Sequence, residues 1–227
     1  MKRYKYQMHT HTAPCSACGS STPDELVESL HIGGYNGCVL TNHFIRGNCG
    51  IDRSLPWKDF VAQYEKDYIE CKKAAQKYDL DIIFGVEENV GDGLEILCYG
   101  ITPQFLYDNP LLQNDHSVET WYNALHKFGA LCIQAHPFRD REYIKNPRAL
   151  PLEYIDGIEV YNHYNSPESN LRAEQFADEH PDLILTSGAD THTGASSCFA
   201  GIETDTRITS EKDIVRILKS RNYTLIK

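Results

Sequence analysis

A divalent metal ion is held by lone pairs on nitrogen, oxygen or sulfur brought to one point, and this sequence offers such donors in short, ordered clusters. His9-Thr10-His11 sets two imidazoles two residues apart. In a strand that spacing puts both on one face, where they can chelate a single ion. Asp190-Thr191-His192 repeats the spacing with a carboxylate and an imidazole. Thr41-Asn42-His43, Gly85-Val86-Glu87 and Ala135-His136-Pro137 add three more donors, and the two oxygens of Glu87 suit it to bridge two ions. Taken singly these signals are weak. With 10 histidines in 227 residues a His-x-His pair arises readily by chance. A single His before Pro or after Asn is more often a hydrogen-bonded loop residue, and a single Glu more often a helix cap or a solvated charge.

The elements that must position these donors give them weight. Short apolar strands are expected at Tyr4–His9, Gly37–Thr41, Asp81–Val86, Glu95–Tyr99, Ala130–Gln134, Gly157–Val160, Leu183–Thr186 and, more weakly, Tyr223–Ile226. Helices are expected between them. Thr22-Pro23-Asp24-Glu25 reads as an N-cap, a proline in the first turn and acid behind it. Trp57 to Tyr78 carries Phe60, Val61, Tyr64, Tyr68, Ile69 and Cys71 near helical spacing. Trp121, Leu125 and Phe128 mark another helical face, and Pro167–His180 and Ser210–Arg221 complete the set. Alternating strands and helices argue for an α/β fold with parallel strands, either a barrel or a doubly wound sheet. In both, chemistry belongs at the C-terminal ends of the strands. Five strand ends in turn carry His, Asp or Glu, and unrelated core histidines have no reason to favour that end. No repeat, low-complexity tract or linker interrupts the chain, so residues 1–227 are expected to form one domain.

The ordered series His-x-His, Thr-Asn-His where Thr-Asp-His is usual, Gly-Val-Glu, Ala-His-Pro and Gly-x-Asp-x-His resembles the PHP family (polymerase and histidinol phosphatase domains). The match runs from residue 4 to about residue 205, nearly the whole chain. The resemblance implies a distorted (β/α)7 TIM-like barrel with two or three divalent ions, zinc, manganese or iron, at its C-terminal face. It further implies that His9, His11, Glu87 and Asp190 hold the first metal, Glu87 and His136 the second, and His43 and His192 the third. Fully equipped members use nine ligands, and seven are evident here. Between Thr12 and Ser21, where a His or Asp would complete the third site, stand Cys15, Cys18, serines and threonines. Cys18 is the candidate substitute, since a thiolate binds zinc well, against the plainer reading of a free loop thiol. Cys15-x-x-Cys18 has no second Cys pair to make a zinc knuckle with. Between Leu94 and Gly100, where another His would complete the second site, stand Cys98 and Tyr99. Asn42 replaces an Asp and is expected to loosen His43.

Such a cluster would lower the pKa of a bridging water and polarise phosphoryl oxygens, which suits hydrolysis of a small phosphate monoester. Glu87 or Asp190 could accept the water's proton. His163 is a candidate general acid, against a solvent-facing loop histidine. Arg139 and Arg46 are candidate phosphate clamps, against surface ion pairs. The rivals are a phosphodiesterase, nuclease or protein-tyrosine phosphatase on the same site, C–N bond hydrolysis by the same hydroxide, and a metal-binding domain that has lost catalysis.

Bulk properties narrow the setting. The composition, 41% hydrophobic and 24% charged, is that of a globular protein. The net charge of −10 disfavours long nucleic acid as a partner, although bound cations can reverse the field for a small anion. No apolar run reaches the ~18 residues needed to cross a bilayer, and the basic start lacks a signal peptide's apolar middle. Of the eight cysteines, Cys38, Cys98 and Cys132 lie in apolar strand-like runs and read as reduced. A cytoplasmic location is expected.

Overall fold

The strands form because apolar, largely β-branched or aromatic residues recur in short runs between turn residues. The computed structural model describes residues 2–193 and 199–227; Cys198 lies outside them. Nine strands follow the chain order: β1 (Tyr4–Thr10), β2 (Gly37–Leu40), β3 (Asp81–Gly91), β4 (Leu94–Tyr99), β5 (Leu131–Gln134), β6 (Gly157–Asn162), β7 (Ile184–Gly188), β8 (Gly201–Thr204) and β9 (Thr224–Ile226). Among the described residues six α-helices connect them: α1 (Pro23–Ile32), α2 (Trp57–Ala75), α3 (Pro103–Asp108), α4 (Val118–Phe128), α5 (Pro167–Glu179) and α6 (Glu211–Ser220). Thr22 caps α1 as expected, in a capping box with Glu25.

The sheet order is β7-β6-β5-β4-β3-β2-β1-β8-β9, and it curls until its ends meet. Ala189, just past β7, donates to Gln7 Oε1 at 3.0 Å. Thr191 then pairs with β1, its N–H donating to His9 O at 3.2 Å while its carbonyl accepts from His11 N at 2.9 Å. The antiparallel pair β8–β9 flanks the first half of β1. The result is the TIM-like α/β barrel expected, nearly closed.

Besides β8, which runs antiparallel to β1 and β9, a second strand departs from the expected parallel arrangement. β4 runs antiparallel to both β3 and β5, because Gly91-Asp92-Gly93 turns the chain straight back in place of a helical crossover. All three turn residues have positive φ, a conformation glycine adopts freely and Asp tolerates. β4 therefore begins, rather than ends, at the rim where β3 finishes.

Alternation sorts the strand residues into two cores. Val39, Ile83, Leu97, Tyr99, Leu131 and Ile133 share one cluster with Ile214, Ile217 and Leu218 of α6. Residues of opposite parity, such as Cys38, Phe84, Ile96, Cys132 and Ile158, join Phe60, Tyr64 and Trp121 in the layer under the helices. The first parity leads upward into polar groups: Ile83 and Gly85 precede Glu87, and Glu95 precedes Leu97. Gly37 and Asp81 sit opposite each other in β2 and β3, so close that a Cβ on Gly37 would lie 1.9 Å from the Asp81 carbonyl oxygen. Gly37→Ala is expected to cost roughly 1–3 kcal/mol through forced backbone shifts, read as a lower urea midpoint; an unchanged midpoint would contradict this register.

Candidate metal centre

Burial without partners marks the rim of the barrel. His9, His11 and Glu87 have no exposed surface, and Asp190 and His136 are nearly as buried. Glu87 stands among four histidines: His9 Nε2 and His136 Nε2 lie 3.2 Å from its Oε1, and His43 Nδ1 and His11 Nε2 lie 3.0 and 3.3 Å from its Oε2. Asp190 Oδ1 lies 3.1 Å from His11 Nε2 and 3.5 Å from His9 Nε2. Despite these short distances, His9 Nε2, His43 Nδ1 and Glu87 Oε2 have no hydrogen-bond partner. Buried polar atoms are almost always paired. Atoms that approach to 3 Å yet do not bond to one another are aimed at a common point between them, as ligands are.

The outer partners fix which imidazole nitrogens present lone pairs. His9 Nδ1 lies 3.0 Å from Glu159 Oε1, so with Nδ1 donating to that carboxylate Nε2 is left as an acceptor facing Glu87. His192 Nδ1 sits 2.7 Å from the Asp190 carbonyl, which can only accept. For His11 the partner is the Ser16 hydroxyl, 3.2 Å from Nδ1. Ser16 already donates to Asn42 Oδ1 at 2.9 Å and accepts from His43 N at 3.0 Å, so it accepts from His11 as well. Hydrogen bonds of this kind set tautomer and ring direction.

Among the described residues three groups have donor atoms within 4.8 Å of one another: His9, His11, Glu87 and Asp190; His43, Glu87 and Glu95; and His11, His43 and His192. All seven clear donors of the sequence are thus brought together, His136 joining through Glu87 and Glu95. Cys18 lines the same cleft as His43 and His192 and is half-buried. The influence of those two imidazoles outweighs its partial burial and lowers the thiol pKa to about 5. Cys15 is elsewhere, buried with its thiol on the Tyr64 carbonyl.

Glu95 escaped the sequence reading. It lies 3.7 Å from His43 Nδ1 and 3.5 Å from His136 Nε2, in the region where a missing donor was sought as a histidine. Reversal of β4 brings the strand's first residues to the rim, so Cys98 and Tyr99 point elsewhere. Glu159 escaped as well: besides His9 it accepts from His136 N at 3.1 Å and Asn162 Nδ2 at 2.8 Å.

Three expectations are corrected. Arg139 reaches the cleft but not as a free clamp: its guanidinium lies 2.6 Å from Asp190 Oδ2 and donates to Asn162 and Asn165. His163 does not line the cleft. Asn162 at the end of β6 points inward to Arg139, so the next side chain turns away, and His163 stacks on Phe199 at 4.6 Å. Asn42 does not loosen His43, since its Oδ1 accepts from Thr12 N and Ser16 Oγ while its Nδ2 donates to Thr12 Oγ1. Arg46 is exposed at the lip. The cleft encloses about 490 Å³, and Arg46, Asn48, Asn89, Arg139 and Tyr143 line it above the histidines and carboxylates.

Two residues of the site have left-handed backbone. His136 and Asp190 have φ of 27° and 54°, positions that L residues occupy at a cost and that cluster at functional sites. Gly188 is required: a Cβ there would lie 2.3 Å from Glu159 Oε1 and 2.5 Å from His9 Cβ.

No family model and no curated protein matches the sequence, whereas solved structures do. A two-domain protein from Bacteroides vulgatus containing a predicted PHP-like metal-dependent phosphoesterase superposes with a TM-score of 0.70 at 20% identity, over 99% of this chain and 64% of that one. An amidohydrolase from Chromobacterium violaceum, with sulfate bound and no metal, gives 0.59 at 17% identity over 99% of both chains. The lesion-specific endonuclease from Pyrococcus furiosus gives 0.62 at 13% identity, over 99% of this chain and 58% of that one. This chain therefore spans under two thirds of the first and the last. The fold is the PHP-like TIM-type barrel; the three neighbours differ in chemistry.

Protons compete with a metal ion for these donors. Burial and the Glu87 charge push Glu95 up to about 8. Burial disfavours charged His9 and His43, but the surrounding carboxylates outweigh it and hold both well above the usual imidazole range. An ion must displace these protons, so binding releases protons and affinity rises with pH toward about 8. Calorimetric zinc titrations in buffers of different ionisation heat will show this; affinity independent of pH between 6 and 8 would contradict it. Gly188→Ala is expected to weaken metal affinity about 10–100-fold by displacing Glu159 from His9, and unchanged affinity in a chelator competition would show that contact to be idle.

Proposed function

We propose that residues 1–227 act as one PHP-type hydrolase domain, a metal-dependent phosphoesterase for a small phosphate monoester. The observation that carries this reading is the set of buried donors with no hydrogen-bond partner, His9 Nε2, His43 Nδ1 and Glu87 Oε2. A purely structural polar core would satisfy such atoms.

The residues fit two or three divalent ions. His9, His11, Glu87 and Asp190 would hold the first; Glu87, His136 and Glu95 the second; His43 and His192, beside Cys18, the third. Bound ions of this kind lower the pKa of water to yield a nucleophile at neutral pH and polarise phosphoryl oxygens. Glu87 would serve both of the first two positions, while Glu159 holds His9 and the His136 backbone in place and Arg139 holds Asp190. Asp190, kept well below the usual carboxylate range by Arg139 and His9 against its burial, stays ionised. That favours Asp190 as a ligand over a base. Arg46, exposed and at the lip, is the group free to meet a phosphate oxygen, and Tyr143 faces the same space.

The size of the cleft supports a small substrate, and the net charge of −10 weighs against long nucleic acid. Seven described cysteines are free, which accords with a reducing, cytoplasmic setting, and no described helix is long and apolar enough to cross a membrane.

Hydrolysis of p-nitrophenyl phosphate and bis-p-nitrophenyl phosphate, assayed with Mn²⁺, Zn²⁺ and Fe²⁺, tests the reading. The monoester is expected to be the better substrate, with turnover falling to background in His11→Ala and Glu87→Ala. Arg46→Ala is expected to raise KM about tenfold, equivalent to ~1.4 kcal/mol of lost binding. Preference for the diester would move the assignment to a phosphodiesterase, and no hydrolysis of either ester with any ion would overturn it.

A further inference from the structure

The side chain of Arg46 is exposed on the cleft, yet the backbone that carries it is tightly held. The peptide joining Ile45 to Arg46 is bonded at both ends. Its carbonyl accepts from Arg53 Nε at 2.6 Å, and its N–H donates to Glu88 Oε1 at 2.9 Å. On the far side of Arg46, the Gly47 carbonyl accepts from Arg53 Nη2 at 2.8 Å. Arg53 therefore grips the carbonyl before Arg46 and the carbonyl after it. A guanidinium suits this task, since its planar fork sets several donors in one fixed geometry.

The same segment rests on the metal centre. Gly47 N donates to Phe44 O at 3.0 Å, closing a turn, and a Cβ on Gly47 would lie 3.0 Å from both Cβ and Nδ1 of His43. Phe44 anchors the turn from below, fully buried and edge-on to Phe60 and Tyr64 at 5.3 and 4.9 Å. Beyond the turn, the Asn48 carbonyl accepts from Ala17 N at 2.8 Å. Exposure alternates along the segment: Ile45, Gly47 and Cys49 are buried, whereas Arg46 and Asn48 are exposed and line the cleft. The result is a shelf that sets a cation and an amide beside the histidines.

We propose that Arg53 is a positioning residue for the substrate's phosphate, holding the shelf so that Arg46 is already aimed at the cleft when the anion arrives. This rests on the phosphoesterase reading above and adds what orders its anion-binding group. An arginine on a loose loop loses freedom on meeting a phosphate, and fixing its backbone beforehand lowers that cost. Arg53 itself lies outside the cleft lining, with its Nε and Nη2 committed to the two carbonyls. It acts through Arg46.

The test is a calorimetric titration of zinc-loaded protein, freed of unbound ion, with inorganic phosphate, paired with p-nitrophenyl phosphate kinetics. Arg46→Ala is expected to weaken phosphate binding about tenfold. Arg53→Ala should weaken it roughly three- to tenfold although Arg46 is intact, raising KM with kcat kept, as loss of uniform binding does. Arg53→Lys keeps the charge without the planar fork and should fall between. The double variant should bind no more weakly than Arg46→Ala alone, because the two residues act as one unit. Arg53 is exposed, and matched zinc content and urea midpoints guard against misfolding as the cause. Unchanged phosphate affinity in Arg53→Ala, or losses that add in the double variant, would overturn the positioning role and leave the phosphoesterase reading standing. No zinc bound at all would overturn both.

Discussion

A carboxylate with no exposed surface stays ionised only where positive charge surrounds it, and the architecture of this protein is arranged about one such group. Glu87 is fully buried, yet His9 and His43 hold its pKa well below the usual range against that burial. Glu95, Asp190 and Glu159 lie close by, and Arg139 is the one arginine among them. So much buried negative charge would destabilise the barrel if left alone. Protons on the imidazoles offset it in the metal-free protein, and divalent ions would do so when bound. Each feature at the rim bears on this balance, from the left-handed backbone of His136 and Asp190 to the missing side chain of Gly188.

Direction matters as much as charge. An imidazole ligates through whichever nitrogen is unprotonated, so the partners outside the ring decide whether it can ligate at all. Ser16 is in this respect a relay. Its hydroxyl proton is committed to Asn42, which leaves its oxygen to accept from His11 Nδ1 and from the His43 backbone. Asn42 is fixed in turn by Thr12, and Thr12 by the carboxylate of Asp67 on α2. On the other side Glu159, Asn162 and Arg139 form a continuous chain that ends on Asp190. The two networks meet at the Glu87 position from opposite walls of the barrel.

What the sequence made legible follows from this physics. His9, His11, His43, Glu87, His136, Asp190 and His192 were recognisable because each lies at or just past the end of an expected strand, and strand ends in a barrel share one rim. Glu95 was not, because recognising it requires knowing that β4 runs backwards. That depends on a three-residue turn whose conformation is set by glycine and aspartate, not by any donor-type pattern. Glu159 lies within a strand run, Gly-Ile-Glu-Val, where a carboxylate has no distinguishing neighbour; only its packing against Gly188 and His9 reveals its part. Arg139 lines the cleft, but its partner was not foreseen, since Asp190 is 51 positions away and meets it only in the closed barrel. β8 and α3 are four and six residues long, too short to show a period in the sequence.

Anomalous diffraction from crystals grown with manganese or zinc tests the central claim most directly, that the orphaned donors around Glu87 hold metal ions. The account predicts at least two anomalous peaks, one among His9, His11, Glu87 and Asp190 and a second shared by Glu87 with Glu95 and His136. A map with no peak in contact with Glu87, and its oxygens hydrogen-bonded to protein or water instead, would contradict it.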